Sequence, residues 1–250
     1  MNISISNMAW ELHDHQEKLK FFQKLKIKNI EGIFTKINNW DNLKSNDIVK
    51  FVSQCVDKNI NVSSFQSIFY NTPIQSFSEH KLVSNHLLKV VEFAKVAKSN
   101  ILVLGSPSLR KFDSLDGLSK SLKFIDKKLK NENIKICIEP NCKLYGGFYF
   151  HSLEEICLFI KENKFQNIKT MIDTHNILAE GFDLNDQYAN YIDYIYHIHF
   201  SEINLQEIKD FEKYKEFVNE IKESYEGLVV YEFKNCINFN KTIELFTEIF

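Results

Sequence analysis

The chain has 250 residues, 44% hydrophobic and 26% charged, enough to bury a large core and close to the roughly 250 residues of one (β/α)8 barrel. Its formal net charge of −2 and pI near 6.5 give no electrostatic ground for nucleic acid or an anionic membrane as partner. The five cysteines are odd in number without CxxC spacing, the N-terminal MNISISNMAWE lacks the basic and apolar regions of a signal peptide, and no apolar run approaches the roughly 18–20 residues that span a bilayer. The expectation is a reduced, cytoplasmic protein without disulfides or zinc ribbons.

In chain order, short β-branched runs at 2–6, 30–34, 60–65, 100–105, 134–139, 168–173, 194–199 and 228–233 alternate with longer amphipathic segments. The runs start about thirty residues apart, the length of one βα unit. Helical spacing, with apolar residues every three or four positions and Lys or Glu between them, predicts helices over 15–26, 45–58, 80–98, 119–130, 152–162, 183–193, 205–223 and 241–250. Ser45, Ser152 and Asp183 stand where N-caps are wanted. Eight such units predict a single-domain α/β protein, a (β/α)8 TIM barrel over residues 1–250. An open doubly wound sheet usually shows a Gly-rich phosphate turn after its first strand, and with seven glycines none is visible here.

In a barrel of parallel strands, residues just after each strand converge on one mouth. Here these are Ser6, Asn7 and Trp10; Thr35, Lys36 and Trp40; Gln66 and Ser67; Ser106 and Arg110; Glu139 and Asn141; Asp173, His175 and Asn176; His197, His199 and Glu202; Glu232 and Lys234. Glu139, Asp173, His199 and Glu232 sit at the tips of the last four strands. Glu139 and Glu232 each end an otherwise apolar run, where an unpaired carboxylate is costly to bury and a cation would offset that cost. Three carboxylates and one imidazole, without thiolate, suit Mn²⁺, Co²⁺, Mg²⁺ or Zn²⁺. Two residues apart on one strand, His197 and His199 face the same side, so one can ligate a metal while the other supports it or meets substrate. Trp10, Trp40, Phe65 and Tyr145 could wall a sugar site, but in a chain with 22 phenylalanines and 10 tyrosines an aromatic is more often core.

The segments ISNMAW, GIFTKI with NNW, SSFQSIFY, LVLGSPSLRK, IEPNCKLYGGFYF, MIDTHNILAEG, HIHFSE and YEF occur in order at the eight strands. Over nearly its whole length the chain resembles the xylose-isomerase-like TIM barrels, the sugar-phosphate isomerase and epimerase family. The resemblance implies a divalent metal, commonly manganese, held by Glu139, Asp173, His199 and Glu232. It also implies that Glu139 and Glu232 act as acid and base in proton transfer next to a carbonyl, through a metal-stabilised enediolate.

The chain departs from the family pattern in two places. Many relatives carry a histidine three residues after the strand-six acid, where this chain has Asn176 and places His175 one residue earlier. The arginine that some epimerases place six residues beyond the metal histidine is Leu205, which leaves Lys36 and Arg110 as the cations for the far end of a substrate. Candidate substrate-binding residues are Lys36, Gln66, Arg110, Asn141, His175, Asn176, His197 and Glu202.

The expected function is therefore a metal-dependent sugar or sugar-phosphate isomerase or epimerase with a small-molecule substrate, compatible with a homo-oligomer. Alternatives are a dehydratase or lyase on a related polyol, and a barrel that binds sugar without turnover. The three-zinc apurinic endonucleases of the same fold fit less well, because strands two and three supply no histidine or acid at their tips and the net charge does not favour a phosphate backbone.

Overall fold

The structure, a computed structural model, describes residues 2–111, 114–234 and 236–250. Eight parallel strands, β1 (Asn2–Ser6), β2 (Asn29–Ile33), β3 (Asn61–Gln66), β4 (Ile101–Leu104), β5 (Lys135–Ile138), β6 (Ile168–Asp173), β7 (Ile195–Phe200) and β8 (Leu228–Tyr231), pair in sequence order, and β8 pairs with β1 to close a barrel. This is the expected single-domain TIM barrel. Strands buried on both faces read as near-continuous apolar runs, which is why β4, β5 and β8 appear as ILVL, KICI and LVVY.

The longer helices follow the predicted segments: His15–Lys24, Ser45–Val56, His80–Ala97, Asp116–Lys128, Leu153–Asn163, Leu184–Tyr191, Lys215–Ser224 and Phe239–Ile249. None of the described helices is long and apolar enough to cross a membrane. Ser152 and Asp183 cap as expected, accepting from the backbone N–H of Glu155 and Asp186. Ser45 does not cap; it lies inside its helix, and Asp47 instead accepts from the Lys44 N–H at 3.0 Å.

The predicted helix over 205–223 is shorter than its periodicity suggests. Asn204 and Leu205 both take left-handed backbone with φ of +54°, which ends any helix there. The carbonyl of Leu205 accepts from Lys234 N–H at 2.7 Å, and Tyr231 Oη accepts from Ile208 N–H at 2.8 Å, so this stretch is tied to the end of β8. The helix proper begins at Lys215.

Most aromatic residues pack between the sheet and the outer helices. Phe34 stacks on Phe65 with ring centroids 4.1 Å apart, and Trp10, Trp40 and Phe65 are all buried in this layer. Inside the barrel, Ile101, Val103, Cys137, Met171 and Leu228 form a small apolar plug. Met171 pairs in register with His197, and two residues further along the strands Asp173 pairs with His199. On the opposite side Glu31 pairs with both Ser6 and Ser64. The barrel interior thus changes from apolar to ionisable toward the carboxyl ends of the strands.

Candidate metal centre

Ligand atoms of Glu139, Asp173, His199 and Glu232 lie within 4.8 Å of one another at the carboxyl end of the barrel. Each comes from a different strand, and each is fixed by its own local structure. The N–H of Glu139 donates to Leu104 O at 3.1 Å, extending the ladder one residue beyond β5. Its Oε2 accepts from Asn141 Nδ2 at 3.2 Å and passes so close over Gly105 that a Cβ there would overlap it. Asp173 ends β6 and caps the short helix Thr174–Ala179: Oδ1 accepts from Asn176 N–H at 2.8 Å and Oδ2 from Ser201 Oγ at 2.7 Å. The DTHN sequence is thereby explained as a strand end that turns directly into a helix. Glu232 follows β8, its N–H donating to Phe200 O at 2.9 Å.

His199 is fully buried and lies between two sets of carboxylates. Nδ1 is 3.1 Å from Glu232 Oε2 and 3.7 Å from Glu139 Oε1, whereas Nε2 is 3.0 Å from Glu31 Oε1 on the opposite side of the ring. Burial alone would lower the affinity of this imidazole for a proton, but the charges of Glu31 and Glu232 hold its pKa well above the usual value.

The carboxylates resist being charged together. Glu139 is pushed up to about 8, first by burial and then by the charges of Asp173 and Glu232. Asp173 is pushed up to about 6, first by burial and then by Glu232. Negative charge crowded in a low-dielectric site, with oxygen and nitrogen donors converging from four strands, is the chemistry of a divalent cation site, and the donors suit a hard or borderline ion. The residues fit the metal that the sequence implied.

An open cavity of about 790 Å³ lies over this centre. Of the candidate substrate-binding residues, Gln66, Asn141, His175, Asn176 and Glu202 line it. Several already have partners: Gln66 Nε2 donates to Ser6 Oγ at 2.7 Å, Asn176 Oδ1 accepts from Cys142 N–H at 2.9 Å, and Glu202 contacts Lys213 Nζ and Tyr214 Oη. Tyr145, partly exposed, packs its ring edge-on to His175 at the mouth.

Three candidates are not brought to the cavity. Lys36 donates to the carbonyls of Met8 and Trp10 at 3.2 and 2.8 Å and to Glu11 Oε1 at 2.9 Å. Arg110 is buried and donates to four carbonyls, those of Gly105, Glu139, Tyr149 and Phe150. His197 sits beneath His199, wholly buried. Lys111 and Lys234 are instead the cations among the residues lining the cavity.

Glu31 is the residue the strand-tip reasoning missed. It lies inside β2 rather than after it, fully buried, with Oε2 accepting from Ser64 Oγ at 2.8 Å and paired with His197 Nε2 at 2.9 Å. Burial favours the protonated acid, but the positive charge of His199 and the hydrogen bond with His197 hold the carboxyl well below its usual range. Burial holds the His197 pKa below its usual value, against the opposing pull of Glu31. A glutamate within an otherwise apolar β run was the available signal.

Among solved structures, the fold is similar to a 3-keto-D-glucoside 4-epimerase from E. coli, with 17% identity and a TM-score of 0.78 over 98% of each chain. It is also similar to a D-psicose 3-epimerase from Clostridium cellulolyticum H10, crystallised with D-tagatose, with 15% identity and a TM-score of 0.72 over 93% of this chain and 85% of that one. A protein described as AP endonuclease, family 2, from Brucella melitensis shares 13% identity with a TM-score of 0.78 over 99% of each chain. No curated protein matches the chain by sequence. The family model described as xylose isomerase-like TIM barrel matches residues 20–244, well over half of the sequence, and the chain belongs to that family.

Proposed function

We propose that this protein is a divalent-metal-dependent sugar isomerase or epimerase that moves a proton at a carbon next to a carbonyl. The observation that carries this reading is the placement of Glu139 and Glu232 on either strand flank of the site, both close to His199 Nδ1, with Asp173 completing the set. A divalent cation, Mn²⁺ by preference, would be held by these four residues and would polarise the substrate carbonyl. The epimerases among the similar folds support the same chemistry.

The hydrogen bonds separate the roles of the three acids. Both oxygens of Asp173 are engaged, one by a helix N-terminus and one by Ser201, so it is a holding group and not a proton carrier. Glu139 has only Asn141 on one oxygen, which leaves the other to take or give a proton. Glu232 contacts His199 alone among these groups. One glutamate removes the proton beside the carbonyl and the other returns one. Asn141, Gln66, His175 and Asn176, which line the cavity, would meet substrate hydroxyls, and Tyr145 would stack on a sugar ring.

The test is exchange from D₂O into a panel of ketoses, aldoses and their phosphates with Mn²⁺ added. Deuterium should enter one carbon next to the carbonyl with no loss of water from the substrate. Glu139→Gln and Glu232→Gln should each lower exchange at least about 100-fold. No exchange into any member, or full exchange by both variants, would reject the mechanism.

A further inference from the structure

We propose that Glu31 is a positioning residue that fixes the tautomer of His199, so that Nδ1 is presented bare to the metal centre while Nε2 carries the proton. This rests on the reading of His199 as a metal ligand.

The geometry gives each nitrogen of His199 one neighbourhood. Nδ1 is in hydrogen-bond geometry with Glu232 Oε2 at 3.1 Å and has Glu139 Oε1 at 3.7 Å, a contact that an ion at Nδ1 would replace; Nε2 faces Glu31 Oε1 at 3.0 Å. The Nε2–H direction does not run straight to that oxygen, so the contact is close without being an aligned hydrogen bond. Yet Nε2 and Glu31 Oε1 are both buried and have no other partner among the described residues. Buried polar atoms left unpaired are costly, so each is the other's only means of satisfaction. An imidazole that gives one N–H to a carboxylate directs its other nitrogen outward as a bare donor atom, and such outer carboxylates tune ligand basicity.

Glu31 is itself held in place. Ser64 Oγ and His197 Nε2 both bond to Oε2, at 2.8 and 2.9 Å, leaving Oε1 as the oxygen turned to His199. Glu31 thus links His197 and His199 through contacts of 2.9 and 3.0 Å beneath the centre. His197 and Ser64 therefore act at one remove, by orienting Glu31.

This assignment makes an asymmetric prediction for Glu31→Gln. The amide oxygen must take the place of Oε2, where two donors point, which turns the NH₂ toward His199 Nε2. Two N–H groups cannot face each other, so His199 would move its proton to Nδ1 and lose its ligand atom. Mn²⁺ affinity, measured by titration calorimetry on the full chain, should fall about 10- to 100-fold, with circular dichroism unchanged. The ¹⁵N–¹H correlation spectrum of the wild-type protein loaded with Zn²⁺ should show His199 protonated at Nε2 and bare at Nδ1. If wild-type binds neither ion, the metal reading fails. If wild-type binds and folded Glu31→Gln binds within twofold of it, or the spectrum shows the proton on Nδ1, the positioning role is overturned. The spectrum needs no variant and decides the matter even if Glu31→Gln does not fold.

Discussion

Arg110 Nη2 donates to the main-chain carbonyl of Glu139 at 2.8 Å and to that of Gly105 at 3.0 Å, joining the ends of β4 and β5 under the candidate centre. Nη1 reaches Phe150 O at 3.2 Å and Tyr149 O at 3.4 Å, so one guanidinium organises the chain on both sides of a candidate ligand. Arg110→Met should cost about 3 kcal/mol of stability, because several buried carbonyls lose their donor at once. Urea unfolding reads this directly. A variant of wild-type stability would show that these carbonyls find other donors.

Lys36 likewise serves the fold. It ties the Met8 and Trp10 carbonyls and pairs with Glu11, whose carboxyl it holds below its usual range. Lys36→Met should leave KM for any accepted sugar unchanged within about twofold while lowering stability by about 1–2 kcal/mol. A tenfold rise in KM with unchanged stability would return Lys36 to the substrate.

Gly105 lies where a Cβ would overlap Glu139 Oε2. The obstructed atom is the end of a flexible side chain, so Gly105→Ala should cost less than about 1 kcal/mol of stability. The site would suffer instead: Glu139 must swing away from His199 and Asp173, and Mn²⁺ affinity should drop at least about tenfold. Affinity equal to wild-type would mean that Glu139 is not a required ligand.

The barrel was legible because its strands are apolar on both faces and its helices on one, which writes two periods into the sequence eight times over. The convergence of Glu139, Asp173 and Glu232 with His199 was legible from their common place at the ends of four consecutive strands, where an acid that ends an apolar run has few structural excuses. Long-range hydrogen bonding was not legible. Arg110 and Lys36 stand at strand ends like binding residues, and only the folded chain brings the carbonyls of 139, 149 and 150, or of 8 and 10, to them. Glu31 escaped because the run around it reads as an ordinary strand, and its partners at 64, 197 and 199 are distant in sequence. The end of the helix expected over 205–223 was hidden in two left-handed residues, neither of them glycine.

Proton uptake by the crowded acids fixes how the metal-free protein should respond to pH. Glu139, held near 8, and Asp173, near 6, keep their protons in the fold at pH values where the unfolded chain has lost them. For carboxyls raised in this way the folded state binds more protons, so stability falls as pH rises from about 4.5 through 6 and 8. His199 acts in the same direction: its raised pKa contributes stability below about 6.5 that is lost as pH climbs through the folded value. Glu31 opposes them only in acid, where its lowered pKa makes stability fall as pH drops. Burial holds His15, His86, His175 and His197 low, and these add stability as pH rises through about 6.5. The crowded acids and His199 act in the opposite sense, and theirs is the penalty that belongs to the site. A cation in the site removes that penalty by taking the place of the protons. Mn²⁺ should raise the melting temperature more at pH 8 than at pH 6, and calorimetry near pH 7 in two buffers of different ionisation enthalpy should show protons released on binding. A metal-induced shift independent of pH, with no proton release, would mean that the ion does not sit among these carboxylates.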